Sequence, residues 1–498
     1  MYYAYVITDE KALIEACIAT ADSLSEVVGV LTPQDNVPDT SLPQIWVIDR
    51  YISCPLDWQD AAPPYVLPQL NFSPEYLLAL VFFKLDNHAV AFQYISENEP
   101  LFQHLTLMAH LQQTYGLTSL MTKVAESFPH NWAIVHHYGS IVPPVDFATV
   151  KNYYQQALIN IEDAEIQAFT AKHYANLLMD VHQEAEAEAL LARILNLKSI
   201  SKKARYSVQS LLSQILMTKV SVPYDNVLMK QITRMQQDCI RFFEKIGWKV
   251  NAALLLIDAS EVANMAQSYA ESLKFINRAI QYFKSEEIPA FIGEALFRKA
   301  TLLYTWSKNG SPQYYKSAIN AFQDALKVFK KETYPQKFAD IHHNLGVLYA
   351  EIPVADAEQA IWAAFSASSF QQALEYYDKT NFPYQYAMVC SNYAIALMNF
   401  PPAKLHDNYQ KAADLFEEAL HIRAADHYPF ERALTLANQL ELYWLTHNEN
   451  EAAAQQKYQE MIDKAQEIRQ LVTDNTLLEQ ANIHLEQLDK LKPVLNTY

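Results

Sequence analysis

The sequence predicts an all-α fold over residues 75–498, a right-handed superhelical solenoid of helical hairpins behind a small N-terminal α/β or irregular cap. Three observations carry that expectation. Prolines recur at Pro289, Pro335, Pro383 and Pro429, at spacings of 46, 48 and 46 residues, and self-similarity at such a period marks stacked helical repeats. A second block recurs with them: Ser272, Ile276, Ala279, Phe283; Ala318, Phe322, Ala325, Phe329; Ser366, Phe370, Ala373, Tyr377; and Ala412, Phe416, Ala419. Glycine is scarce, 7 in 498 residues, which argues against an α/β enzyme whose loops need positive φ.

Each repeat element has a physical reason. Positions i, i+4, i+7 and i+11 share one face of a helix, so every second block offers one stripe for burial. The prolines suit the first turn of the helix that follows, where the missing N–H is not needed. Four residues after each stands a small residue, Gly293, Ala339, Ala387 or Ala433, which lets a neighbouring backbone approach. Nine residues after the last three prolines stands an asparagine: Asn344, Asn392 and Asn438.

In chain order, residues 1–70 read as the cap and a proline-rich connector. "YYAYVI", "EVVGVL" and "QIWVID" are strand-like, "EKALIEACIATADS" has helical spacing, and prolines from Pro33 to Pro68 punctuate an extended run. Residues 71–200 read as degenerate hairpins beginning at Ser73-Pro74-Glu75, a sound helix start. Residues 201–245 read as linking helices, 246–475 as the long repeats of 46–48 residues, and 476–498 as a C-terminal capping helix.

Bulk numbers exclude several function classes. A net charge of −18, from 56 acidic and 38 basic residues, repels phosphate backbones and anionic lipid, so neither nucleic acid nor membrane is an expected partner. Cys17, Cys54, Cys239 and Cys390 lie far apart with no C-x-x-C, which reads as buried thiols in a reducing compartment. No signal peptide or membrane-spanning run is evident, and the expected location is cytoplasmic. The usual nucleotide cradles are absent. His136-His137 and His342-His343 are adjacent pairs that point about 100° apart on a helix and cannot easily share one metal. The basic cluster Lys198, Lys202, Lys203 and Arg205 reads as a solvated loop and helix start. No catalytic signature is found, so the expectation is no enzyme, no cofactor and no metal.

The stretch "ADIHHNLGVLYAEIP" from Ala339, with Asn344-Leu345-Gly346 and Tyr349, resembles the tetratricopeptide family, as do the alanine, aromatic, alanine positions of the second blocks. The period is longer than that family's usual 34 or so residues, which is similar to its long-repeat bacterial variants. The resemblance implies that the first helix of each unit lines a concave groove. It also implies that Asn344, Asn392 and Asn438, with His343 beside them, bond the backbone of a bound extended peptide. An amide suits that task because it both donates and accepts. The lysine and arginine positions that clamp a terminal carboxylate in chaperone-binding members hold Asp340, His343, Val347, Met388, Ser391, Ile395, Leu434, Ala437 and Glu441, so no basic clamp is expected.

The function expected is a non-catalytic scaffold or adaptor that takes a neutral or basic peptide segment, or a partner helix, in the groove. A peptide-gated regulatory sensor whose pitch changes on binding stands as the alternative, and an enzyme with an unrecognised site as a third.

Overall fold

Strand β1 (Ala4–Thr8) is apolar from Ala4 to Ile7 and buried at all five positions, as a strand covered on both faces must be. It pairs in parallel with β2 (Val28–Leu31) and β3 (Gln44–Ile48), with Val6 opposite both Val30 and Ile45. Helices α1 (Lys11–Ile18) and α2 (Leu24–Val27) make the crossover between β1 and β2. The three runs expected as strands are therefore the parallel part of a mixed sheet. Two short additions, β4 (Tyr51–Ser53) and β5 (Leu70–Asn71), extend it antiparallel in the order β2-β1-β3-β4-β5.

This computed structural model describes residues 3–402, 407–448 and 450–495, in two compact units, 1–286 and 287–498. The last three residues of the expected capping helix, 496–498, lie outside the described residues. Twenty-three α-helices are present among the described residues, so the fold is all-α apart from the N-terminal sheet and a two-residue pair, β6 (Gly116–Leu117) with β7 (Ser140–Ile141). No helix among the described residues is long and apolar enough to cross a membrane.

In the first unit the sheet does not stand alone. Val6, Ile14 and Ile45 share one core with Leu77, Leu80, Leu105 and Val135. That core joins the sheet to α3 (Pro74–Lys84), α4 (His88–Ala91), α5 (Pro100–Gln113), α6 (Ser119–Thr122) and α7 (Pro129–Tyr138). Regular pairing begins with α7 and α8 (Phe147–Asn160). It continues through α9 (Ala164–Asp180) with α10 (Glu184–Leu195), α11 (Lys202–Met217) with α12 (Asn226–Lys245), and α13 (Lys249–Met265) with α14 (Tyr269–Ser285). Residues 201–245, expected as linking helices, are thus a hairpin like its neighbours. Ser201 and Asp225 cap its two helices through their side chains, and Ile232, Cys239, Ile240 and Phe243 bury its stripe.

The second unit pairs α15 (Pro289–Lys308) with α16 (Tyr315–Ala325), α17 (Pro335–Glu351) with α18 (Asp356–Leu374), α19 (Pro383–Asn399) with α20 (Asn408–Ile422), and α21 (Pro429–Leu445) with α22 (Glu451–Leu471). Each of the four prolines opens its helix. The small residues four places on are buried, and so is every member of the second blocks. One detail differs from the expected stripe. Helices α16 and α18 end before Phe329 and Tyr377, which lie beyond the last turn and are buried by the chain folding back. The Phe329 ring covers Gly293 so closely that a Cβ there would come within 2.8 Å. In the third repeat Arg423 takes this place, buried, with Nη1 2.5 Å from Thr435 Oγ1 and 3.3 Å from the Glu431 carbonyl. Helix α23 (Asn475–Leu495) closes the unit, burying Leu477, Ala481 and Leu488 on Leu436, Leu440 and Ile468.

Candidate functional site

The first helices of the hairpins in the first unit, α7, α9, α11 and α13, form one row of neighbours. Residues 57–66 of the proline-rich connector lie across all four. Prolines keep such a segment extended and remove its own hydrogen-bond options, so its remaining peptide groups need outside partners. Side chains of the row supply them. Asn131 on α7 accepts from the Val66 N–H at 2.9 Å and donates Nδ2 to the Val66 carbonyl at 2.7 Å. His130 Nε2 donates to the Pro64 carbonyl at 2.8 Å. Ser207 Oγ on α11 donates to the Trp58 carbonyl at 2.7 Å, and Asn251 Nδ2 on α13 to the Gln59 carbonyl at 3.1 Å.

Side-chain contacts fix the segment further. Lys172 on α9 pairs with Asp60 at 2.5 Å, and Asp60 takes a left-handed φ of 58°. Trp58 is 4% exposed and meets Phe169 edge-on at 5.1 Å. The Tyr65 hydroxyl lies 2.7 Å from His104 Nδ1. Burial pushes the pKa of His104 and of His130 down to about 4, so both rings are neutral near pH 7. With its proton on Nε2, His130 accepts at Nδ1 from the Thr170 hydroxyl, 2.8 Å away. The segment is held chiefly through peptide groups, which is recognition of an extended chain with little regard to its side chains.

The corresponding row of the second unit is α15, α17, α19 and α21, where α17 packs on α19 and α19 on α21. Asn344, Asn392 and Asn438 stand at one repeat position on the last three of these helices, each half-buried. Asn344 Nδ2 donates to the Asp340 carbonyl of its own helix at 2.8 Å, and Asn438 Nδ2 to Leu434 at 3.0 Å. Asn392 reaches across to α17, with Nδ2 2.8 Å from His343 Nε2. His343 is buried and its pKa is pushed down to about 4, so a neutral ring offers the lone pair that Asn392 needs. Phe430, 49% exposed, Leu434 and Leu445 add apolar surface along α21. The acids of these helices are engaged within the unit. Glu294 pairs with Lys337 at 2.7 Å and Arg298 at 3.0 Å, Glu351 with Lys308 at 2.9 Å, and Asp340 with the Tyr377 hydroxyl.

The structure therefore brings His343 and Asn392 into direct contact and sets Asn344 and Asn438 on separate helices of the same row. Asn131, His130, Ser207 and Asn251, which grip the connector, had no signal in the sequence, because none recurs at the repeat period. No group of three or more His, Cys, Asp and Glu side chains placed to hold a metal occurs among the described residues.

No family model matches the chain, and no curated protein matches it. Solved structures similar to it include a signal-transduction ATPase with a tetratricopeptide repeat sensor from Pyrococcus horikoshii, at 14% identity over 73% of this chain and 54% of that one, with a TM-score of 0.49. The apo quorum sensor NprR of B. thuringiensis is 13% identical over 69% of this chain and 94% of that one, with a TM-score of 0.44. Yeast Tom70 is 13% identical over 85% of each chain, with a TM-score of 0.38. The chain spans about half the length of the first of these, and its all-α hairpin architecture rests on its own helices and on the repeats of its own sequence.

Proposed function

We propose that the chain is a non-catalytic binding protein whose second unit receives an extended peptide segment, or a partner helix, along the row α15, α17, α19 and α21. One observation carries the reading. In the first unit, side chains on a row of first helices hold residues 58–66 by their peptide groups, so this chain already contains the kind of complex proposed. In the second unit Asn344, Asn392 and Asn438 keep amide oxygens for a peptide N–H, while Leu434 and Phe430 offer apolar contact. His343 positions Asn392. A surface fixed by packed helices loses little entropy on association. With a net charge of −18 and the face's own acids engaged, a neutral or basic segment suits it better than an acidic one. The free thiols Cys17, Cys54, Cys239 and Cys390 fit a reducing compartment such as the cytoplasm.

A photoreactive residue in place of Leu434, in the full chain in its native cell, marks the segment that docks there. That segment is then synthesised and titrated by calorimetry. Replacing Asn344, Asn392 and Asn438 together by alanine weakens it by about tenfold or more, about 1.4 kcal/mol. Equal affinity for both chains overturns the reading. A peptide-gated regulator is the second reading, favoured by the occupied row of the first unit, where a competing peptide would release residues 58–66. Small-angle scattering with and without the docked segment decides it, since unchanged dimensions remove the regulator.

A further inference from the structure

Residues 55–63 of the connector form one wall of a cavity of about 290 Å³ in the first unit. Its other walls come from residues 40–44, the C-terminal ends of α3 and α5, and the entrances of α11 and α13. Pockets for small molecules usually run from about 300 to 1,000 Å³, so this one has room for a compact ligand of roughly one ring.

The walls carry two carboxylates, Asp57 and Asp86, and two lysines, Lys84 and Lys203. Asp57 already accepts the N–H groups of Gln59 at 3.0 Å and Ala62 at 2.8 Å. Asp86 accepts from Gln112 at 3.0 Å. Lys84 and Lys203, which also line the cavity, have no ion pair and no hydrogen bond among the described residues. Lys203 lies over the ring of Trp248, with Nζ 5.6 Å from its centroid, and burial lowers its affinity for a proton. Trp248 is 3% exposed and lines the same cavity, and its indole N–H finds no acceptor. A buried donor without a partner is rare enough to point to a missing one. The cavity thus holds two lysines with no direct ion-pair partner and a buried indole N–H with no acceptor, beside the apolar surfaces of Phe83 and Met108.

We propose that this cavity binds a small organic anion, a carboxylate or phosphate monoester on an apolar body, with its charge on Lys84 and Lys203 and its body against Phe83, Met108 and Trp248. The anion supplies the direct ion-pair contact that the two ammonium groups lack and the acceptor that the indole lacks. The proposal is independent of the peptide reading of the second unit.

Phenyl phosphate and benzoate are titrated into the full chain, followed by tryptophan fluorescence and calorimetry, with benzyl alcohol as the uncharged control. The two anions separate phosphate from carboxylate recognition. Saturable binding of at least one of them is expected, at one site per chain and about tenfold or more tighter than benzyl alcohol. The double variant Lys84→Gln, Lys203→Gln is expected to lose about tenfold or more of that affinity while keeping its circular dichroism. Absence of saturable binding by both anions overturns the proposal, as does equal binding by the double variant. Should that variant fail to fold, Lys84→Gln and Trp248→Phe are judged separately, and unchanged affinity in both is fatal.

Discussion

In the first unit, residues 58–66 cover the row of first helices. In the second, the equivalent row shows half-buried asparagines and apolar side chains as exposed as Phe430. The regularity of the sequence follows that difference. A segment lying across four helices offers each a different group, so α7 answers with Asn131 and His130, α9 with Lys172, α11 with Ser207 and α13 with Asn251. A row that repeats one residue at one position, as Asn344, Asn392 and Asn438 do, is a row on which no single covering segment has left its own imprint.

Acid gives the largest test of the contrast. His104, His130 and His343 are neutral in the fold with pKa values pushed down to about 4, while unfolded histidine titrates near 6.5. A depressed pKa contributes stability that is present above about 6.5 and lost as pH falls towards about 4, roughly 3 kcal/mol for each ring. The first unit holds two of these rings together with His173, whose affinity for a proton burial drives well down. Protection against hydrogen exchange, corrected for the slower intrinsic exchange in acid, should therefore fall in residues 3–286 before the second unit as pH drops from 7 to 4. Simultaneous opening of both breaks the comparison.

Next in size, Trp58→Ala removes a buried ring from the connector and costs about 3–5 kcal/mol, read as lost protection in α7, α9, α11 and α13. Phe370→Ala, at a fully buried ring of the second unit packed on Gly346, costs a similar amount and leaves the connector's protection unchanged. Asn131→Ala strands both peptide groups of Val66 and costs about 1–3 kcal/mol by thermal unfolding. Asn392→Ala leaves His343 Nε2 without its partner and costs about 1 kcal/mol. Asn438→Ala gives up only a bond to its own helix and changes stability by less than about 0.5 kcal/mol. An Asn438 variant as damaging as Asn131→Ala would show that the second row is structural in the way the first is.

Much of the fold was legible because it is local and periodic. Pro289, Pro335, Pro383 and Pro429 mark helix starts through a property of one residue, and Ala318, Phe322 and Ala325 mark a buried face through spacing alone. Strands β1, β2 and β3 were visible as apolar runs. Strands β4 and β5, of three and two residues, are too short to show alternation. Phe329 and Tyr377 were placed on the helical stripe because spacing says nothing about where a helix stops. The destination of the connector was illegible for a different reason. A proline-rich run has the composition of a linker, and its partners lie up to 206 residues away, as Thr40 and Ile246 do. At the candidate site, the repeated asparagines stand out in the sequence, whereas the pairing of Asn392 with His343 depends on how two helices are rotated against each other.

Stacked repeats ordinarily mature from any point along the chain, but the contacts of Trp58 with Ser207 and of Gln59 with Asn251 remove that freedom from the first 286 residues. At ribosomal speeds of about 5–20 residues per second, the connector emerges roughly ten to forty seconds before its last helix. Within that interval Trp58 stays bare on a nascent chain, open to chaperones, until α9 and α11 bring Phe169 and Ser207 to it.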